Sequence, residues 1–155
     1  MSVAGPGEDG APTGVRRVDA LFDRYGEAHR HPTNEAIHRV CVPLIAWSLL
    51  ALLWSWSPAA AYVLIGVAVA YYLTLSFPIA MGMLAVAAVM VYPLTRFGAS
   101  TLPVAVAVFV AAWIGQFVGH RIEGRRPTFL EDVRFLLVGP AWLLGRAYRR
   151  FGIAY

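Results

Sequence analysis

The sequence has little charge and no lysine. Only 14% of its 155 residues are charged, whereas soluble domains average about 25%, and all thirteen basic residues are arginine. Between Arg39 and Arg121 the only charged side chain is Arg96. Because about 20 apolar residues are enough to cross the hydrocarbon core of a bilayer, so long an uncharged region argues against an ordinary soluble domain and indicates a membrane protein.

Cysteine and histidine are also scarce. The single cysteine, Cys41, excludes an intramolecular disulfide and a CxxC metal motif, and its place at the start of an apolar helix favours a packing role. Four histidines are too few for the His-rich di-iron clusters of membrane hydroxylases and desaturases. The sequence has no long basic stripe interleaved with aromatic residues, so we expect no nucleic-acid partner.

Proline, glycine and serine divide the uncharged region into helical segments. Residues 40–95 contain 56 positions without Asp, Glu, Lys or Arg, and residues 97–120 add another 24. These lengths suit three helices and one helix, respectively. The breakers are Ser57-Pro58, Phe77-Pro78 and the turn at 96–100. The sequence therefore predicts an all-α, multi-pass membrane protein with about four transmembrane helices, covering residues 40–56, 59–76, 79–95 and 102–119.

An even number of crossings returns both ends of the chain to one side of the membrane. Residues 121–155 carry seven Arg against three acids, and an arginine excess beside membrane segments marks the cytoplasmic side. We therefore expect both termini in the cytoplasm. Because all basic residues are arginine, as is typical of GC-rich bacterial genomes, we expect the membrane to be a bacterial inner membrane. Residues 1–14 are rich in Gly and Pro and are expected to be a disordered tail, which leaves residues 15–155 as a single membrane domain.

Amphipathic segments flank the predicted spans. Apolar residues recur at helical spacing from Val15 to Tyr25, which predicts an N-terminal amphipathic helix lying on the membrane. Thr128 and Glu131 form a capping box and predict a helix that begins near residue 129. The uncharged run 135–145 is too short to span a bilayer and contains a Gly-Pro pair. We therefore expect an interfacial or re-entrant helix pair at the C-terminus.

The fourth span carries a ridge of small residues at four-residue spacing. Such a ridge lets a neighbouring helix approach closely, so we interpret it as a packing surface. Room for an acyl chain is the alternative, and the spacing is compatible with both. The ridge consists of Ala107, Ala111, Gly115 and Gly119.

Histidines border the uncharged region at both ends. If the two ends of the chain share a side, these histidines meet at one membrane surface. Neutral imidazole and carboxylate are suitable ligands for Fe, Zn, Mn or Ni. His120 and Glu123, three residues apart, share a helical face that Gln116 extends. The other candidates lie before the first span and are His29, His38 and Asn34, of which the asparagine suits orientation of a ligand or substrate better than coordination.

Each of these residues also has a simpler interpretation. Histidines at a membrane border are commonly interfacial side chains, and His31 fits the N-cap of the helix that follows it. Glu123 has Arg121, Arg125 and Arg126 as neighbours and fits an ordinary exposed ion pair. The arginines by themselves are also explained as the basic residues that mark the cytoplasmic side of a membrane protein. The spacing alone therefore leaves both a metal site and an interfacial cluster open.

Two blocks of the sequence are more specific than any single histidine. YGEAHRHPTNEAIHRVCVP and WIGQFVGHRIEGRRPTFLEDVRFLLVGP resemble the signature regions of the small membrane family typified by the fungal 2-hydroxy fatty acid dioxygenase. The likeness covers residues 21–144. The family glutamate follows its histidine by four residues, whereas the interval here is three, so the role of Glu123 is open. The matched residues are His29, Pro32, Asn34, His38, Gln116, Phe117, Gly119, His120, Glu123 and Pro127.

The resemblance implies an Fe(II)-dependent dioxygenase that uses O2 to shorten 2-hydroxy fatty acids by one carbon at the membrane surface. The alternative is a non-enzymatic membrane protein that binds lipid or acts as a scaffold. The resemblance assigns iron binding to His29, His38 and His120, catalysis to Glu123, Asn34 and Gln116, and the substrate carboxylate to Arg121, Arg125 and Arg126, which would hold it by paired hydrogen bonds.

Overall fold

A computed structural model describes residues 16–27, 31–124 and 136–155 of the chain. All regular structure in these ranges is helical, so the all-α prediction is confirmed for the described part. A single 3-10 turn at Gly98–Ser100 separates two of the long helices. In chain order the helices are α1 (Arg17–Glu27), α2 (Pro32–Trp56), α3 (Pro58–Leu73), α4 (Phe77–Phe97), α5 (Thr101–Glu123) and α6 (Val138–Arg150).

The helix boundaries follow the predicted breakers. Ser57 adopts an extended conformation and Pro58 then opens α3, where the missing proline N–H costs no hydrogen bond. Ser76 is also extended, and its hydroxyl accepts a hydrogen bond from the Ile79 backbone N–H at 3.5 Å. At the end of α4, Gly98 has a φ of 53°, a left-handed value that favours glycine. Local chemistry therefore fixes where each long helix begins and ends.

Helix α5 runs antiparallel to α2 over most of its length. Near the start of α2, Asn34 lies against Gly119, and one turn past His38, Cys41 lies against Gly115. Towards the far end, Ala51 packs in one cluster with Ala105. The end of α5 therefore returns to the beginning of α2.

The amphipathic helix α1 is buried in protein rather than lying free on a membrane surface. Val18 and Phe22 are each only 1% exposed. They pack in one cluster with Trp142 of α6 and with Tyr72 and Ile79 at the α3–α4 turn. The predicted amphipathic helix is therefore confirmed, but its apolar face packs against α6 rather than against lipid.

Helix α6 docks at the end of the bundle where α2 begins. Its Gly-Pro pair lies in the first turn and does not interrupt the helix. Backbone N–H groups in a first turn have no intrahelical partner, so Pro140 costs no hydrogen bond there. The Tyr72 hydroxyl donates to the Leu137 carbonyl at 2.7 Å and fixes the segment that leads into α6. The helix predicted to begin near residue 129 lies outside the described residues, as do residues 1–14.

The small-residue ridge on α5 is a packing surface along only half of its length. A side-chain carbon added at Gly115 would lie 2.6 Å from the Cys41 Sγ atom, and one at Gly119 would overlap Asn34. Ala107 and Ala111 instead are exposed. The four-residue spacing drifts off the contact face because a helix turns every 3.6 residues.

Two helical stretches of the described chain are long and apolar enough to cross a membrane. They are Pro32–Trp56, with 25 residues, and Phe77–Glu123, with 47 residues, which contains both α4 and α5. Helix α3 is a shorter apolar helix of 16 residues. Large apolar side chains, among them Val89 at 74% and Ile114 at 58%, remain exposed on the outside. This surface favours association with a membrane.

Candidate functional site

His38 of α2 and His120 of α5 meet at the crossing of these helices. Their ring centroids lie 4.9 Å apart, and the ring planes make an angle of 89°. The side chains are only 3% and 8% exposed, respectively. The antiparallel course of α5 brings them together, although they lie 82 positions apart in the sequence.

The polar edges of this histidine pair face the protein interior. Both ring nitrogens of His38 and the Nε2 atom of His120 are shielded from solvent. An interfacial histidine would instead keep its polar edge in water. Two facing imidazoles with buried nitrogens are a donor set that suits Fe, Zn, Cu or Ni.

Glu123 joins the end of α5 to the beginning of α2. Its two carboxylate oxygens accept hydrogen bonds from the His31 backbone N–H at 3.1 and 3.0 Å. Oε2 also accepts from the Asn34 Nδ2 atom at 3.0 Å. A helix N-terminus has unpaired N–H groups and a partial positive charge, so a carboxylate is stabilising there. Glu123 therefore fixes the register in which His120 faces His38.

Two buried amide oxygens lie on the same two helices as the histidines. Asn34 is completely buried, and Gln116, one turn before His120, is 6% exposed. Neither the Asn34 Oδ1 atom nor the Gln116 Oε1 atom has a hydrogen-bond partner among the described residues. Buried polar atoms are rarely left without a partner. Each oxygen is therefore an acceptor whose hydrogen bond the described residues do not supply.

His31 is the N-cap of α2, as the sequence predicts. Its Nδ1 atom accepts a hydrogen bond from the Thr33 backbone N–H at 3.2 Å, and its side chain is exposed. An imidazole used in this way is not directed at the buried pair. The cap thus accounts for His31 without a ligand role.

Part of the predicted site lies outside the described residues, namely His29, Arg125 and Arg126. Arg121 is described and is exposed at the end of α5. Within residues 16–27, 31–124 and 136–155, no three His, Cys, Asp or Glu side chains are grouped so that they could hold a metal ion. The described residues thus provide a pair of imidazoles but no set of three possible metal ligands.

A charged cluster beside the site has no counterpart in the sequence-based prediction. Glu35, next to Asn34 in the first turn of α2, pairs with Arg39 at 2.7 Å and with Arg146 of α6. The Arg146 guanidinium also lies 4.8 Å from the centre of the Trp142 ring. The pair from Glu35 to Arg39 has the four-residue helical spacing that a sequence can reveal. The contact with Arg146 is long-range and has no local signal.

Comparison with known proteins identifies a family. A family model described as 2-hydroxy-palmitic acid dioxygenase Mpo1-like matches residues 15–151, which is nearly the whole chain. No curated protein and no solved structure matches it. The matched range includes both helices that carry the histidine pair.

Proposed function

The chain belongs to the family described as 2-hydroxy-palmitic acid dioxygenase Mpo1-like, and from this we propose that it is an Fe(II)-dependent dioxygenase that uses O2 to shorten 2-hydroxy fatty acids by one carbon. The observation that carries the proposal is the buried contact between His38 and His120, with ring centroids 4.9 Å apart. A lipid-binding scaffold has no need of two imidazoles with their polar edges turned away from water.

Iron would be held by His38 and His120, with His29 as the third imidazole. Neutral imidazole is a suitable ligand for ferrous iron, and the burial of both described rings suits a site with restricted access to water. When bound, Fe(II) would activate O2 for reaction with the hydroxy acid, which itself supplies the electrons that reduce O2. The protein then has to position the acid and keep bulk water away.

We assign Glu123 a positioning role rather than a place among the iron ligands. Both of its oxygens already accept hydrogen bonds from the start of α2. Through these bonds it holds α2 and α5 in the register that makes the histidine pair. This assignment also explains how a three-residue interval after His120 is sufficient, because the carboxylate has only to reach the N-terminus of α2.

The substrate would be oriented by groups at both ends of its polar head. The buried oxygens of Asn34 and Gln116 are acceptors, and a 2-hydroxyl group is a donor that such acceptors bind. The carboxylate would pair with Arg121 and with Arg125 and Arg126, since guanidinium groups bind carboxylates through two parallel hydrogen bonds. The acid would then lie with its C1–C2 bond at the histidine pair.

The proposed setting is a bacterial inner membrane crossed four times, with both termini in the cytoplasm. The antiparallel packing of α2 and α5 supports this topology, because it places the end of α5 beside the start of α2. Helices α1 and α6 pack at this same end. A fatty acid could then keep its chain among apolar helices while its head remains at the level of the lipid headgroups.

The test is an assay of the purified protein reconstituted with Fe(II). We expect O2 consumption with 2-hydroxypalmitate and a fatty acid product one carbon shorter, detected by mass spectrometry. Palmitate without the 2-hydroxyl is the matched control and should give neither signal. If metal-loaded protein consumes no O2 with 2-hydroxy acids of any length, the dioxygenase proposal fails and a non-enzymatic lipid-binding or scaffold role is favoured.

A further inference from the structure

An apolar cavity lies between α2, α3 and α4, where the segment leading into α6 closes one side. Its volume is about 110 Å³, well above the roughly 10–15 Å³ that admits one water molecule. Small residues on two of the helices, Ala46 and Ala68, create the space, and Met83 of α4 borders it. Leu136 forms part of the closing segment.

The lining of this cavity offers nothing to a polar ligand. Tyr72 is the only lining residue with a polar side chain among those the structure describes, and its hydroxyl already donates to the Leu137 carbonyl at 2.7 Å. The other lining side chains are aliphatic or thioether groups and one proline. Because this lining offers no hydrogen bonds to water or to a polar group, it favours a hydrocarbon occupant.

Packed apolar side chains lie between the cavity and the histidine pair. Cys41, one turn after His38, packs in a cluster with Ile45, and Leu49 and Leu136 pack against this cluster. Both of these leucines also line the cavity. At about 1.5 Å per helical residue, Leu49 lies roughly 16 Å along α2 from His38. This is close to the depth of one bilayer leaflet, about half of the 30 Å hydrocarbon core, and hence to the reach of one acyl tail.

We infer that this cavity receives the distal part of the acyl chain of a long-chain 2-hydroxy acid whose head lies at His38 and His120. The inference rests on the proposed function and adds a selectivity element to it. The acyl chain is assigned to the cavity and not to the small residues of α5, because Cys41 and Asn34 already occupy the space beside Gly115 and Gly119. Each methylene that reaches the cavity adds to the affinity, so acids too short to reach it bind more weakly.

The inference is tested with Ala68→Phe, which fills the cavity from α3. The matched control is Ala70→Phe, on the same helix at an exposed position outside the cavity. We expect Ala68→Phe to lower kcat/KM for 2-hydroxypalmitate relative to 2-hydroxyoctanoate by about tenfold or more, and Ala70→Phe to leave this ratio unchanged. Ala46→Leu fills the cavity from α2 and should shift the ratio in the same direction, which makes the result independent of how α3 accommodates a phenylalanine.

A second readout needs neither iron nor turnover. Iron-free protein is irradiated with a 2-hydroxypalmitate that carries a diazirine near its methyl end, and the labelled peptides are identified by mass spectrometry. We expect labelling of the cavity-lining parts of α2, α3 and α4, with competition by unlabelled 2-hydroxypalmitate. Labelling confined to other surfaces, or labelling that only phospholipid displaces, would overturn the inference, as would an unchanged chain-length ratio in both filling variants. Wild-type protein that labels competitively but turns over no 2-hydroxy acid would instead refute the proposed function.

Discussion

The Asn34 side chain donates a hydrogen bond to Glu123 Oε2 at 3.0 Å and thereby joins the first turn of α2 to the last turn of α5. One turn along each helix from this contact, His38 and His120 face each other. Since the same carboxylate also binds the His31 backbone N–H, one side chain from α5 meets two groups of α2. The geometry of the histidine pair depends on this junction.

Replacing Glu123 separates a positioning role from a ligand role. Glu123→Ala leaves the His31 N–H and the Asn34 amide without their acceptor, which should cost about 1–3 kcal/mol in the free energy of unfolding and lower Tm. At saturating Fe(II) the variant should still bind iron through the imidazoles. Both quantities are measured on the same preparation, by thermal unfolding in detergent and by elemental analysis. Loss of iron with an unchanged Tm would instead identify Glu123 as a ligand.

A substitution at Gly119 tests how closely α2 and α5 must approach each other. A side-chain carbon there overlaps Asn34 Oδ1, so Gly119→Ala should push the asparagine away from Glu123 and destabilise the protein by about 1–3 kcal/mol. Gly66→Ala is the control, because an added carbon at that helical position meets nothing within 4 Å. Alanine should there raise stability by up to about 1 kcal/mol. Equal Tm values for the two variants would show that the crossing of α2 and α5 is looser than the structure indicates.

Sequence patterns predicted the helices well because the signals that end a helix are local. Ser57-Pro58 and Gly98 end their helices through backbone chemistry that acts within a few residues. The meeting of His38 and His120 could also be anticipated, since it required only that α5 return to the start of α2. Both inferences follow from short-range chemistry and from the direction of the chain.

Contacts between distant segments could not be predicted in this way. The spacing of Phe22 shows that α1 has an apolar face, but periodicity does not say whether lipid or α6 covers that face. The pairing of Glu35 with Arg146 joins residues 111 positions apart and has no local pattern. The choice of Gly115 and Gly119, and not Ala107 and Ala111, as the contact face depends on the exact rotation of α5, which a four-residue spacing approximates only over short distances.

The link between α2 and α6 should be modest in strength and sensitive to salt. Arg146→Ala removes the pairing with Glu35 and the contact with the Trp142 ring. Because the arginine side chain is 43% exposed, we expect a loss of at most about 1 kcal/mol that shrinks at high ionic strength. Thermal unfolding at low and high salt measures it, with Arg150→Ala, exposed on the same helix, as the control. A loss several times larger and independent of salt would show that packing on Trp142 dominates.

The four-crossing topology predicts which positions are reached from each side of the membrane. After Cys41→Ala, single cysteines are placed at Ser57, Ala99 and Ala154 and treated in spheroplasts with a membrane-impermeant maleimide. We expect labelling of Ser57→Cys and Ala99→Cys from outside, and of Ala154→Cys only after lysis. Labelling of Ala154→Cys in intact spheroplasts, or opposite results for the other two positions, would rule out an even number of crossings with the C-terminus in the cytoplasm.

The most direct test of the account is the iron content of His38→Ala and His120→Ala after reconstitution with Fe(II) and removal of unbound metal. His31→Asn is the matched control, since asparagine also caps a helix well and His31 lies at the surface. We predict that each of the first two variants loses the iron that the wild-type protein retains, whereas His31→Asn keeps it. Wild-type iron content in both His38→Ala and His120→Ala would contradict the claim that these two residues form the metal site.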